Sequence, residues 1–372
     1  MSPDITKVGM PKWGLSMTQG KILDWLVDEG ASVDEGTEVV EVETEKIAGA
    51  VEAPAAGVLR RHVADSGETV PVGGLVGVIA DAEVADDEID RFVTEFQASF
   101  VPPEEGEDAA LPTETVEVGG RRLRFLRAGE GEPALVFLHG FGGDLNNWLF
   151  NTEKLAEHRT AYALDLPGHG ESAKDVGGFS DLVDALAGFL DERDVSRVHL
   201  VGHSMGGAVA LRYALDHADR VASLVLIDSA GLGEEINADY VGGFVEAGRR
   251  RELKEVLKLL FADPELVTRR LVDDVLKYKR LDGVDEALRA LAGDLFPNGR
   301  QTVALASRLG DVPAPVLVIW GAADRILPVA HTQGLPDNVR VEVLDGPGHS
   351  PHMEAANEVN RLVGQFLDEE VA

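Results

Sequence analysis

Gly202-His203-Ser204-Met205-Gly206-Gly207 is the stretch on which the fold of this chain turns. It follows the apolar run Val198-His199-Leu200-Val201, which reads as a short strand, and it opens a stretch of helical spacing through Leu215. A serine with glycines two positions to either side, at a sharp turn from strand to helix, is the pattern of a nucleophile elbow. Such a turn strains the serine backbone and crowds its neighbours, so small residues are required at Gly202 and Gly206. The helix that begins at Met205 aims its first N–H groups and its positive dipole end at the place where an oxyanion develops beside Ser204. The glycine–serine–glycine spacing alone is a weak signal, and the flanking strand and helix are what give it weight.

A serine at such a turn needs a base and an acid, and they follow it in the order Ser, Asp, His. Asp324 lies just past the run Ile319-Trp320-Gly321, and His349 lies in Gly346-Pro347-Gly348-His349-Ser350-Pro351, a loop ahead of the last helix. His349 is expected to take the serine proton, with Asp324 fixing its tautomer and steadying the imidazolium. Asp228 also ends an apolar run and competes for the acid role. His352 opens the last helix and reads as structural, and His203 and His139 read as packing or loop residues. The oxyanion donors are expected to be two backbone N–H groups. One is that of Met205, and the other is that of Phe141 in His139-Gly140-Phe141-Gly142-Gly143, where glycines let the backbone approach a ligand.

Around these motifs, residues 113–372 alternate short apolar runs with helical stretches. The runs are Ala134–Leu138, Ala161–Asp165, Val198–Val201, Ser223–Asp228 and Pro315–Trp320; the helices include Leu182–Leu190 and Met205–Leu215. Runs apolar on both faces suit a parallel sheet covered on both sides, so the class is α/β. Residues 231–310 interrupt the pattern with charged, helical sequence and read as a cap. Within it, residues 249–280 hold ten Lys/Arg against six Asp/Glu. That basic island, including Arg249, Arg250, Arg251 and Lys254, is either a solvated helical face or a site for an anionic ligand.

Residues 1–80 read differently, as short strands punctuated by glycines at 20, 30, 36, 49, 57, 67 and 73, and so as a small all-β barrel or sandwich. Lys46, in Glu43-Thr44-Glu45-Lys46, falls between Val39–Glu43 and Ala50–Glu52 and is expected at the tip of a tight hairpin. Residues 81–112 form a bridge. Val84, Ile89, Phe92, Val93, Phe96 and Phe100 recur at helical steps, predicting a helix over about 84–100 that Pro102 and Pro103 end. An acidic linker follows, and 81–112 holds eleven Asp/Glu with Arg91 as its one basic residue. The apolar stripe of the helix is expected to dock on the catalytic domain, with a partner protein as the alternative.

The formal net charge of −32 argues against binding to nucleic acid or to an anionic membrane. No apolar run approaches the roughly 20 residues that span a bilayer, and no leader opens the chain, so a cytoplasmic protein is expected. With no cysteine, disulfides, thiolate metal sites and a cysteine nucleophile are excluded, and no metal is expected.

Two resemblances add to these readings. Residues 3–80 resemble lipoyl domains through Gly20–Trp25, Gly30–Gly36, Glu43–Lys46 and Glu52–Gly57, which implies lipoic acid attached to Lys46. Biotinyl domains share that fold but flank their lysine with methionine, and here the neighbours are Glu45 and Ile47. Residues 115–370 resemble α/β-hydrolases, of which Asp165-Leu166-Pro167-Gly168-His169-Gly170-Glu171-Ser172 is a further mark. The combination resembles the dihydrolipoamide acetyltransferases of acetoin dehydrogenase complexes; the His-x-x-x-Asp-Gly motif of other 2-oxoacid dehydrogenase acyltransferases does not occur. The resemblance implies an acyltransferase that moves acetyl from the arm on Lys46 to coenzyme A, whether through an acyl-enzyme on Ser204 or by direct attack of the thiol. It implies two partners, a thiamin-diphosphate-dependent acetoin-cleaving enzyme and a flavin dihydrolipoamide dehydrogenase, and a homo-oligomer. An esterase or thioesterase with a carrier domain, and a carrier module alone, are the competing readings. The expected domains are 1–80 lipoyl, 81–112 helix and linker, and 113–372 catalytic with the cap at about 231–310.

Overall fold

Alternating apolar and charged residues build the first unit. In Glu38-Val39-Val40-Glu41-Val42-Glu43 the three valines are buried and the glutamates are exposed; from Val40 onward they alternate as in a strand with one wet face, and Val39 falls at an irregularity in the strand pairing. The computed structural model describes residues 5–11, 19–43, 48–100 and 113–369. The chain divides into two compact units, 1–110 and 111–372.

In the first unit the strands are β1 (Ile5–Gly9), β2 (Gln19–Trp25), β3 (Ser32–Val33), β4 (Glu38–Glu43), β5 (Ala48–Glu52), β6 (Gly57–His62), β7 (Thr69–Pro71) and β8 (Leu75–Ala80). They form two four-stranded sheets, ordered β1-β8-β6-β3 and β5-β4-β2-β7, with antiparallel neighbours throughout. Val8, Ile22, Val42, Leu59 and Ile79 make the core.

The helix α1 (Asp86–Ser99) closes this unit. Its Ile89 is fully buried with Val84 against Leu75, Val78 and Ala80 of β8, and Phe92, Val93 and Phe96 pack at the margin. This departs from the expected docking on the catalytic domain. The cause lies in β8, whose six residues are all buried: Val76 and Ile79 belong to the core between strands, and the opposite face needs a cover that α1 supplies. Arg60–Asp86 at 2.8 Å and Arg61–Asp90 at 3.0 Å pin the helix down.

The second unit carries an eight-stranded sheet ordered β16-β15-β14-β13-β11-β12-β10-β9. Its strands are β9 (Thr113–Val118), β10 (Arg121–Ala128), β11 (Ala134–Leu138), β12 (Ala161–Leu164), β13 (Val198–His203), β14 (Val221–Ile227), β15 (Val316–Gly321) and β16 (Val339–Leu344). Every pairing from β12 to β16 is parallel, and β10 runs antiparallel to β9 and β12. The helices α2 (Leu149–Leu155), α3 (Phe179–Glu192), α4 (Met205–Asp216), α9 (Pro351–Glu354) and α10 (Ala356–Glu369) accompany the sheet. The α/β expectation holds, while β9, β10 and β16 are strands that the apolar runs do not reveal. They lie at or next to the sheet edges with charged residues between the apolar ones, and Val341 and Val343 of β16 are exposed.

Residues 231–310 form α5 (Ala238–Glu246), α6 (Arg250–Leu257), α7 (Arg269–Lys279) and α8 (Val284–Leu295), with no extended strand among the described residues.

Candidate active site

The three side chains picked out as nucleophile, acid and base lie beyond the carboxyl ends of β13, β15 and β16, the end at which open α/β sheets bind ligands. Ser204 sits at φ 51°, a left-handed conformation that a non-glycine residue holds only when its surroundings impose it. They do so here. Its N–H donates to the Ile227 carbonyl at 3.0 Å, and its own carbonyl accepts from Gly207 at 2.9 Å and Ala230 at 3.0 Å. A Cβ on Gly202 would collide with the Gly206 backbone, and one on Gly206 with the Leu138 and His139 carbonyls. The glycines of the motif are therefore steric requirements of β13, α4 and β11 meeting at one point.

His349 Nδ1 hydrogen-bonds Asp324 Oδ2 at 2.8 Å, with both side chains out of contact with solvent. The other carboxylate oxygen, Oδ1, accepts from the Ile326 and Leu327 N–H groups at 2.7 and 3.0 Å. Burial opposes the charge on Asp324, but His349 and these backbone donors outweigh it and hold the carboxyl below its ordinary range. With Nδ1 committed to Asp324, Nε2 is the ring atom free to act as base. Ser204 and His349 line one cavity. The Ser204 hydroxyl makes no hydrogen bond to that ring among the described residues, a bond that often tightens only when substrate is bound.

Asp228 takes a different position. It is wholly buried at the end of β14, at φ 41°; its Oδ1 accepts from the Gly321 N–H at 3.1 Å, and its remaining side-chain hydrogen-bond partner is Asp324. Asp228, Asp324 and His349 offer polar atoms that all lie within 4.8 Å of one another. Burial first, and then the charge on Asp324, push the Asp228 carboxyl well above its ordinary value, so it holds its proton to higher pH than Asp324 does.

The surrounding histidines hold the frame. His139 donates from Nδ1 to the Gly140 carbonyl at 2.8 Å and accepts the Leu166 N–H at Nε2 at 3.0 Å. His203 donates from Nε2 to the His349 carbonyl at 2.7 Å, and its ring lies 4.8 Å from that of His349 and 4.4 Å from that of His352. Burial pushes His139 down to about 4, His352 down to about 3 and His203 well below its ordinary value, so all three stay neutral at pH 7. His352 falls in the short α9, and the last helix begins only at Ala356. In the loop after β12, Asp165 accepts from the Leu145 and Glu171 N–H groups, each at 2.8 Å, and pairs with Arg124 at 2.9 Å.

Met205 is the first residue of α4 and Phe141 lies in the loop after β11. Neither of their N–H groups has an acceptor among the described residues. Two cap residues that the sequence reading does not pick out hold the Phe141 loop. Tyr240 donates its hydroxyl to the Phe141 carbonyl at 3.2 Å, and Phe244 packs so close that a Cβ on Gly142 would strike its ring. The resulting cavity, about 60 Å³, is lined by Ser204, His349 and Phe141 and walled by Phe244, Leu257 and Val275 of the cap. It is a narrow apolar chamber beside a polar corner.

In the first unit, β4 and β5 pair with Glu43 opposite Ala48. The chain joins them through Thr44, Glu45, Lys46 and Ile47, which lie outside the described residues; the expected hairpin tip at Lys46 falls there.

Comparison with known proteins bears on both units. Residues 133–356 match the alpha/beta hydrolase fold family, and residues 6–79 match a biotin/lipoyl family described as biotin-requiring enzyme. Over 369 residues, 99% of this chain and 98% of the relative, the chain is 47% identical to the dihydrolipoyllysine-residue acetyltransferase component of the acetoin cleaving system of Cupriavidus necator. It is 51% identical over 362 residues, 96% of this chain and 97% of the relative, to the component of the same name from Pseudomonas putida. The fold of the second unit is similar to that of a meta-cleavage product hydrolase from Pseudomonas fluorescens, with a TM-score of 0.64, 23% identity, and coverage of 69% of this chain and 97% of that one. With nearly full-length relatives at this identity and an α/β-hydrolase unit behind a lipoyl-type domain, the chain belongs to the family of dihydrolipoyllysine-residue acetyltransferase components of acetoin cleaving systems.

Proposed function

We propose that the chain transfers an acetyl group from a dihydrolipoyl arm on Lys46 to coenzyme A, through an acetyl-enzyme on Ser204. One observation carries the reading: a buried His349–Asp324 pair at 2.8 Å shares a cavity with an elbow serine, in a chain that also bears a lipoyl-type domain. The residues around the attachment position fit lipoate, since the lysine connects two paired strands and lacks the flanking methionines of a biotin site. A lipoyl group there supplies the acetyl as a thioester.

The chain's own residues do the rest. His349 Nε2 takes the Ser204 proton as Oγ bonds to the thioester carbonyl carbon, and Asp324 steadies the imidazolium. The carbonyl oxygen takes up the negative charge beside the Met205 and Phe141 N–H groups. As the oxyanion collapses the carbon–sulfur bond breaks, and the imidazolium returns its proton to the departing thiolate. Coenzyme A then gives its thiol proton to His349 and attacks the acetyl-serine, and the proton passes on to Ser204 Oγ as that bond breaks. A chamber of about 60 Å³ suits an acetyl group, and the cap above it limits the water that competes with the thiol. Within the acetoin cleaving system, a thiamin-diphosphate enzyme loads the arm and a flavin dihydrolipoamide dehydrogenase reoxidises it.

The test is acetyl transfer from S-acetyl-dihydrolipoamide to coenzyme A, wild type beside Ser204→Ala. Acetyl-coenzyme A formation is expected to fall by about 10³-fold or more in the variant. Wild-type protein that releases acetate and ignores coenzyme A makes the chain a thioesterase and overturns the proposal.

A further inference from the structure

We infer that the cavity between the start of α6 and the outer face of α7 holds the phosphorylated adenosine end of coenzyme A, an inference that rests on the acyl-transfer reading above. The cavity has a volume of about 640 Å³ and is lined by Arg249, Arg250, Lys277 and Arg280, with Asp273 and Leu276 between them. Four cations thus face one carboxylate, in a chain whose formal net charge is −32.

Structural duties do not account for that charge. Arg250 pairs with Asp273 at 2.6 Å, and Arg249, largely exposed, comes no closer than 4.0 Å to Glu252. Lys277 and Arg280 have no carboxylate partner among the described residues. Their neighbour Lys279 does serve the fold: buried, it donates to the Val245 carbonyl at 3.1 Å and also to that of Phe244. A helix dipole favours basic residues where α7 ends. It disfavours them where α6 begins, and Arg249 and Arg250 stand at that positive end. Both features become favourable if an anion sits between them, because arginine forks and a helix N-terminus are matched to phosphate oxygens.

Place and shape add to the charge. Leu271 and Val275 of α7 line the Ser204 cavity, while Asp273, Leu276 and Lys277 of the same helix, with Arg280 just past its end, line the basic one. One helix therefore presents its two faces to two sites. Coenzyme A has the matching form, a thiol on a long flexible arm at one end and a 3′-phosphate and diphosphate around adenosine at the other. Leu281, which lines the same cavity and is exposed, offers the base an apolar surface. Of the four basic residues that the sequence suggested, Arg249 and Arg250 line the cavity and Arg251 and Lys254 do not; Lys277 and Arg280 take their place.

The experiment is calorimetric titration of the full chain with coenzyme A and with adenosine 3′,5′-bisphosphate, wild type against the doubly exchanged Lys277→Glu/Arg280→Glu. Affinity for both ligands is expected to fall by about tenfold or more, the worth of a lost charged hydrogen bond. The kcat/KM preference for coenzyme A over pantetheine, which has no phosphate, should collapse with it. Equal binding by both proteins, or no binding of the bisphosphate to wild type, overturns the assignment. The two readings separate cleanly. Acetyl-coenzyme A formation with unchanged nucleotide affinity in the variant removes this site and leaves the transferase, whereas charge-dependent nucleotide binding without acetyl transfer removes the transferase and leaves the site.

Discussion

Two carboxylates lie within reach of His349, and their surroundings push them in opposite directions. Asp324 receives the ring's Nδ1–H and two backbone donors, whereas burial and its charged neighbour push the Asp228 carboxyl well above its ordinary value. In Asp324→Asn the carboxylate that fixes the tautomer is replaced by a neutral amide, and kcat is expected to fall by roughly 10³–10⁴-fold. Asp228→Asn leaves the His349–Asp324 pair in place and keeps an oxygen of the same shape to accept the Gly321 N–H, so the expected loss is under about tenfold. Acetyl transfer measured on the two variants decides the assignment, and a larger loss from the Asp228 exchange would transfer the acid role to it. The sequence carried the serine, the histidine and both candidate acids, because each ends a recognisable strand or loop. It favoured Asp324 for the acid role and left Asp228 as its competitor. That choice depends on which oxygen meets the imidazole, a distance set by β14 and β15 packing side by side. Tyr240 and Phe244 carry no mark of their role in the sequence, since only the folded cap shows that they grip the Phe141 loop.

At the scale of elements, apolar runs revealed the buried strands and missed the edge ones. A strand covered on both faces writes an unbroken apolar run, as β11 and β15 do. An edge strand such as Val339-Arg340-Val341-Glu342-Val343-Leu344 alternates with charge and is easily passed over. Helix α1 was legible as a helix, from the spacing of Ile89, Phe92, Val93 and Phe96, but its partner was not, since a stripe records that a face is covered and not by what. The structure covers it with β8. Ile89→Ala should therefore cost about 2–5 kcal/mol, the range for emptying a fully buried aliphatic site. Hydrogen exchange on the full chain checks the location. The amides of β8 are expected to lose protection while those of β13 keep theirs. Unchanged protection in β8 would mean that α1 contributes nothing to the first unit.

At the scale of the molecule, two units on one chain raise the question of whose arm feeds whose serine. Residues 101–112 connect α1 to β9, and a fully extended segment of that length spans roughly 40 Å at most. A short connection of this kind holds a tethered substrate at an effective concentration of about millimolar, well above a micromolar solution of the enzyme. Transfer from an acetylated arm to Ser204 of the same chain should then be first order and indifferent to dilution. With Lys46 proposed to carry the arm and Ser204 proposed as the nucleophile, the decisive comparison mixes Lys46→Arg and Ser204→Ala, each expected to be inactive alone. At micromolar protein the mixture is expected to form acetyl-coenzyme A on the order of 10²–10³-fold more slowly than wild type, and to speed up as it is concentrated. A mixture as fast as wild type at every dilution would show instead that arms serve neighbouring chains within an assembly. The tether would then act across subunits, and the connection at 101–112 would set reach between chains rather than within one.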